Sequence, residues 1–268
     1  MIAKSVAFLQ RDFRIALSYR LSFIQTIVML VFSLITLNFV GKLVDQGQPD
    51  SLAAYGNDYF GFALIGASAL LFAQTAAGQF TSSIRGAQVT GTLEVMLKSR
   101  TSSAMFLFGS SLYGLTFAAI RLAVSLVVGG LLLGVDLRAG GIFTAIVVLA
   151  LTVAIFGGLG ILAGSFVLRF KQSDPISPFL ITSSVLVSGV LYPTSLLPGW
   201  LEKISPLLPL THTMSALRDA LLADGSSNSA TAGDIAVLAG FALLLPISLL
   251  VFELAVRSAK ANGSLSHY

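Results

Sequence analysis

Six apolar runs, each near the length a helix needs to cross about 30 Å of hydrocarbon, govern what this 268-residue chain can fold into. They lie at about 21–41, 59–80, 104–134, 141–168, 175–192 and 235–256. Lipid offers no water to backbone N–H and C=O groups, so each run must satisfy its own as a helix. The expected fold class is therefore all-α integral membrane, with six transmembrane helices in a single domain, 1–268. Only 10% of the residues are charged and mean hydropathy is +0.89, which leaves no polar stretch long enough to bury a core of its own.

Several chemistries drop out at once. The chain has no cysteine, and His212 and His267 stand far apart, so neither a disulfide framework nor a His/Cys metal site is expected. No serine and histidine share a depth within the spans, and no carboxylate cluster lies inside them. A phosphate-cradling G-x-x-x-x-G-K-[ST] loop is missing too, so any ATP hydrolysis must come from another chain. The sequence pI is about 9.5, but the basic residues form no continuous patch for nucleic acid.

Their distribution instead fixes an orientation. Eleven lie on one side, namely Lys4, Arg11, Arg14, Arg20, Arg85, Lys98, Arg100, Arg169, Lys171, Arg257 and Lys260. Four lie on the other, Lys42, Arg138, Lys203 and Arg218, with Arg121 inside the third run. The positive-inside rule then puts both termini and the loop around Glu94 in the cytoplasm, and the segment around Trp200 outside.

Residues 1–20 read as an interfacial helix, with Ile2, Val6, Leu9, Phe13 and Leu17 at helical spacing. They do not read as a cleaved signal, because the following run is too long and lacks a small-x-small cleavage site. Residues 79–101 are the one polar stretch with helical periodicity between two long apolar runs. Thr92 is placed to cap a helix there, with Glu94 in its first turn. Such a helix, spanning 82–98, lies on the membrane surface or docks on a soluble partner.

The spans carry packing signals of their own. Ala69, Ala73 and Ala77 form a small-residue stripe, and Gly130-x-x-x-Gly134 and Gly160-x-x-x-Gly164 have the spacing that lets helix backbones approach closely. Arg121 is the one ionisable residue deep in a span, at a cost of about 2.5–3.5 kcal/mol on insertion scales. Two readings are open for it: a group facing the bundle interior, a pore or a partner chain, or a structural arginine on backbone carbonyls or snorkelling. The fifth run is short and rich in hydroxyls, with Thr182, Ser183, Ser184 and Ser188. These either line a translocation route or bond back to their own helix or a neighbour.

After it, residues 193–210 are apolar but broken by Pro193, Pro198, Pro206 and Pro209, so no continuous span is possible. An external re-entrant or interfacial helical hairpin is expected, with Trp200 at the interface. Leu210, Met214, Leu217 and Leu221 outline a second amphipathic helix, Arg218 and Asp219 falling on its wet side, so that 193–222 forms the external helices. A flexible linker, 225–233, leads to the last run, near whose inner end Glu253 and Arg257 are spaced for an ion pair.

Two of these segments, GTLEVMLKSRTS at 91–102 and SGVLYPTSLLPGWLEKISPLLPLTHTMSALRDALL at 188–222, resemble the membrane subunits of type-2 ABC exporters. The resemblance covers essentially the whole chain. It implies that Arg85, Gly91, Thr92, Leu93, Glu94 and Leu97 belong to a coupling helix seated in a groove on an ATP-binding subunit. Ser99-Arg100-Thr101 stands where the family often has Ser-Pro, and Gly86 where an acidic residue is frequent, so the detailed contacts there differ.

The resemblance also implies two copies of the chain, two ATP-binding subunits that hold ATP and magnesium, and no cofactor in this chain. Arg121, Ser184 and Ser188 then border the route, and Tyr192, Pro193 and Trp200 form an external gate. The implied function is export of an amphipathic or hydrophobic substrate (a drug, a lipid or a lipid-linked glycan) across a prokaryotic cytoplasmic membrane, without enzymatic activity in this chain. A stand-alone ion-coupled carrier, with Arg121 in its binding site, is the competing class.

Overall fold

The computed structural model describes residues 13, 20–46, 58–89, 91, 103–170, 176–222 and 228–261. Among these, all regular structure is helical. In chain order the helices are α1 (Arg20–Asp45), α2 (Tyr59–Val89), α3 (Ser103–Leu133), α4 (Ile142–Phe170), α5 (Ile176–Val187), α6 (Gly199–Ile204), α7 (Pro209–Leu221), α8 (Asn228–Ala242) and α9 (Leu244–Ala261). Short 3₁₀ turns at Ala139–Gly141, Thr194–Leu196 and Ser205–Leu207 join some of them. The expected interfacial helix 1–20 falls outside the described residues except for Phe13 and Arg20.

Five segments are long and apolar enough to cross a membrane: Ile24–Asp45, Tyr59–Ala87, Met105–Leu133, Ala139–Leu168 and Thr231–Ser258. The expected crossing at 175–192 is not among them. Within the described residues its helix, α5, covers 12 residues, about 18 Å. Gly189 explains where it stops: its φ of +68° is a left-handed conformation that glycine adopts freely, and it turns the chain away from the helix axis.

The bundle is built around α2 and α4. Ala69, Ala73 and Ala77 of α2 are all buried, and a Cβ added at Gly160 would lie 2.1 Å from the Ala77 carbonyl oxygen. The two backbones therefore touch where the small-residue spacing places them. Thr81 Oγ1 crosses the same seam and donates to the Gly160 carbonyl at 2.9 Å. Phe80 and Ile84 cover Gly157 and Gly164, so large side chains of α2 fill the notches that glycines leave in α4. On the opposite side of α4, Gly158 lies against the backbone of Leu244 and Leu245 and brings in α9. Helix α3 packs on α2 through buried Leu107, Ala118 and Leu122, with Ser68 and Ser125 hydrogen-bonded across at 2.8 Å.

Gly130-x-x-x-Gly134 does not join two helices in this way. Gly134, at φ +81°, follows the last residue of α3 and turns the chain, and the nearest side chain to Gly130 is Leu137 of the following loop. The spacing reflects a helix end rather than a helix crossing.

At one end of the bundle, carboxylates hold the helix termini. Asp58 Oδ1 accepts the Gly61 N–H at 2.9 Å and caps α2, while Asp45 at the end of α1 accepts the Tyr59 N–H at 3.1 Å. Burial pushes the Asp58 carboxyl above its usual range, against the lowering effect of the Gly61 hydrogen bond, and Asp45 and Asp136 raise it further. Helix α7 sits at this same end, where Arg138 N–H donates to the Leu221 carbonyl at 2.9 Å.

Candidate transport site and outer hairpin

Helix α7 has the amphipathic spacing read from the sequence, yet it is largely enclosed. Leu210, Met214, Leu217 and Leu221 are buried as expected, and so are Thr213, Ala216 and Ala220. The correction concerns Arg218, which the wheel placed on a wet face and which is only 4% exposed.

Its guanidinium reaches into the break after α5. Nη1 donates to the Gly189 carbonyl at 2.8 Å, Nη2 to the Val190 carbonyl at 2.7 Å, and Nε to the Phe62 carbonyl at 3.2 Å. The guanidinium carbon also lies 3.4 Å from the centre of the Phe62 ring. A helix ending where water is scarce leaves carbonyls without partners and presents the negative end of its dipole. Arg218 answers both needs. Gly66 makes room for it: a Cβ there would meet the Val190 oxygen at 2.1 Å and Arg218 Nη2 at 2.5 Å. The signal available in the sequence was its position four residues after Met214, on the same face.

The expected gate residues sit around this break. Tyr192 O–H donates to the Leu186 carbonyl and so caps α5 further. Pro193 opens the 3₁₀ turn Thr194–Leu196, and Trp200, at 66% exposure, stands on α6 with Leu196 and Leu207 also exposed. His212 of α7 ties the hairpin to the last span. Its Nδ1 lies 2.7 Å from Asp234 Oδ1 and its Nε2 lies 2.8 Å from the Pro206 carbonyl. Asp219, two turns further along α7, has its carboxyl raised by burial and by nearby Asp234, partly offset by a hydrogen bond from Thr231 and by Arg218.

Ser184 and Ser188 face inward, Ser188 at only 1% exposure, whereas Thr182, Ser183 and Leu186 form the exposed face of α5. Arg121 is half-buried on α3, near the midpoint of its span. The structure does not bring Arg121 into hydrogen-bonding or ion-pair contact with Ser184 or Ser188.

At the opposite end of the bundle, the segment expected to couple begins without a break. Residues 82–89 are the last turns of α2, so this part is not a separate helix; Arg85 is exposed there, and Gly91 beyond it has φ +67°. Thr92, Leu93, Glu94 and Leu97 lie outside the described residues. Glu253 and Arg257 pair at 2.7 Å, as their spacing predicts.

A bundle of apolar helices around a close α2–α4 seam defines a multi-pass membrane domain. The chain belongs to the ABC-2 type transporter family, whose description it matches over residues 5–222. It is therefore a transmembrane permease, and the family implies an ATP-binding partner subunit. The chain is also similar to Nodulation protein J of Bradyrhizobium diazoefficiens, with 28% identity over 89 residues. That match covers 33% of this chain and 34% of the relative, so the chain spans about a third of that protein's length.

Proposed function

We propose that the chain is the membrane subunit of an ATP-driven exporter that moves an amphipathic or hydrophobic substrate out of the cytoplasm or inner leaflet. The observation that carries this reading is the course of α2. Its 31 residues make one helix about 46 Å long. One end runs into the polar segment with Arg85 and Gly91, and the other carries Phe62, which holds Arg218 and through it the hairpin. Displacement of the first end by a soluble ATPase is thus felt at the second.

On this reading Arg85, Gly91, Thr92, Leu93, Glu94 and Leu97 dock on the ATP-binding subunit, which supplies ATP and magnesium. Two copies of the chain enclose the route in a prokaryotic cytoplasmic membrane, with both termini cytoplasmic and the hairpin of Tyr192, Pro193 and Trp200 outside. Thr182 and Ser183 present hydroxyls outward from α5, while Ser184 and Ser188 set the shape of the wall from behind.

The test is Glu94→Arg in the complex with its ATP-binding subunit. ATP hydrolysis should continue while transport falls by about ten-fold or more, the scale of reversing one docked charge. Wild-type transport with the partner still bound would remove the docking role.

A further inference from the structure

Arg121 stands near the middle of the span Met105–Leu133, half-buried, and makes no hydrogen bond or ion pair with any described residue. A guanidinium at that depth has little water within reach, and no described residue of the protomer supplies its counterpart. The described residues of a second copy offer no carboxylate for it. Among them no Asp or Glu lies within two helical turns of the middle of a span, and the deepest, Glu253, already pairs with Arg257.

The surroundings of Arg121 are equally specific. Tyr113 and Phe117 precede it at four-residue intervals on the same side of α3, their rings stacked at 6.2 Å between centroids and 16° between planes. Ile120, Val124 and Val127 beside it are exposed and apolar. An apolar and aromatic strip ending in one cation complements a molecule with a lipid-like body and a single anionic head.

We propose that Arg121, with the Tyr113–Phe117 pair, is a binding subsite for the anionic group of an amphipathic cargo, a phosphate, sulfate or carboxylate on an apolar body. The word cargo rests on the exporter reading; the anion site does not. Depth favours cargo over a bilayer lipid, because resident headgroups stay at the interface while this cation lies near the centre.

The experiment is equilibrium binding of dodecyl phosphate and of dodecylphosphocholine to the full chain in phosphatidylcholine nanodiscs, without ATP. Wild type should bind the anionic probe about ten-fold more tightly, the gain expected of one charge-assisted contact away from water. Arg121→Gln should abolish that preference and Arg121→Lys keep most of it. Phe117→Ala should weaken both probes alike, and Leu250→Ala, on the exposed face of α9, should change neither. An unchanged preference in Arg121→Gln, or none in wild type, overturns the site.

A photoactivatable alkyl phosphate gives a readout independent of variant folding. It should label wild type within 113–124, and labelling confined elsewhere overturns the site. Phosphatidylglycerol at about a quarter of the bilayer should leave probe affinity within about two-fold. Full displacement would overturn the cargo assignment and make the occupant a resident lipid. Because binding needs neither ATP nor a partner, failure of the Glu94→Arg test leaves this result standing, and the reverse also holds.

Discussion

The Arg218 guanidinium lies over the Phe62 ring, 3.4 Å from its centre, and joins two elements 156 residues apart in the chain. One side of it touches the long helix α2, and its nitrogens close the break at Gly189 and Val190. The segment after α5 is thereby fastened to the helix that runs on to Arg85 and Val89.

Replacing Arg218 by alanine should cost about 2–4 kcal/mol, since buried carbonyls lose their donors. Arg218→Lys should recover part of this, because an ammonium cannot serve three carbonyls in the geometry of a planar fork. Thermal unfolding of the detergent-purified chain measures both, and a Tm for Arg218→Ala within a degree of wild type would contradict the closure role.

The α2–α4 seam has no room for a side chain at Gly160. Gly160→Leu should prevent the helices from closing and destabilise the fold by more than the usual 1–3 kcal/mol or so of overpacking, because the clash is with backbone. Gly240→Leu, where an added Cβ meets nothing within 4 Å, is the matched control. Folded yield by size-exclusion chromatography separates the two.

Asp219 predicts a pH dependence. Its folded-state pKa lies above its ordinary value of 3.8, so the folded protein holds this proton more tightly than the unfolded chain does. Stability from this group is therefore present at low pH and is lost as pH rises from 3.8 through the raised value. Asp219→Asn should accordingly stabilise the protein at neutral pH, by less than about 1 kcal/mol for a group this accessible. The gain should shrink to nothing below the ordinary carboxylate range. A gain that grew on acidification would have the wrong sign.

Gly199 opens α6, is exposed, and has space around its Cα. In this cysteine-free chain, Gly199→Cys should react with an impermeant thiol reagent added from outside intact cells. Reaction only after the cytoplasm is exposed would invert the proposed topology.

How much of this could be read beforehand depended on the range of the interactions. The Ala69–Ala73–Ala77 stripe and Gly160 foretold a close crossing because small residues at helical spacing leave a groove whatever packs there. Glu253–Arg257 was equally legible, as both partners sit on one helix. The prolines after 192 announced a break in the same local way. Residue type misled at Arg218, however: its charge was assigned to water although position 218 falls on the Met214 face, and nothing local shows that Gly189 and Val190 leave carbonyls there.

The sequence by itself determined that the chain crosses a membrane as helices, where it cannot cross, and which residues are small enough to form seams, since hydropathy, proline and side-chain size act within a few residues. Only the tertiary structure decided that α5 ends at Val187, that residues 82–89 continue α2, and that Arg218 is buried. These outcomes turn on which backbone groups lack water and which distant side chain reaches them, a matter of three-dimensional neighbours rather than of order along the chain.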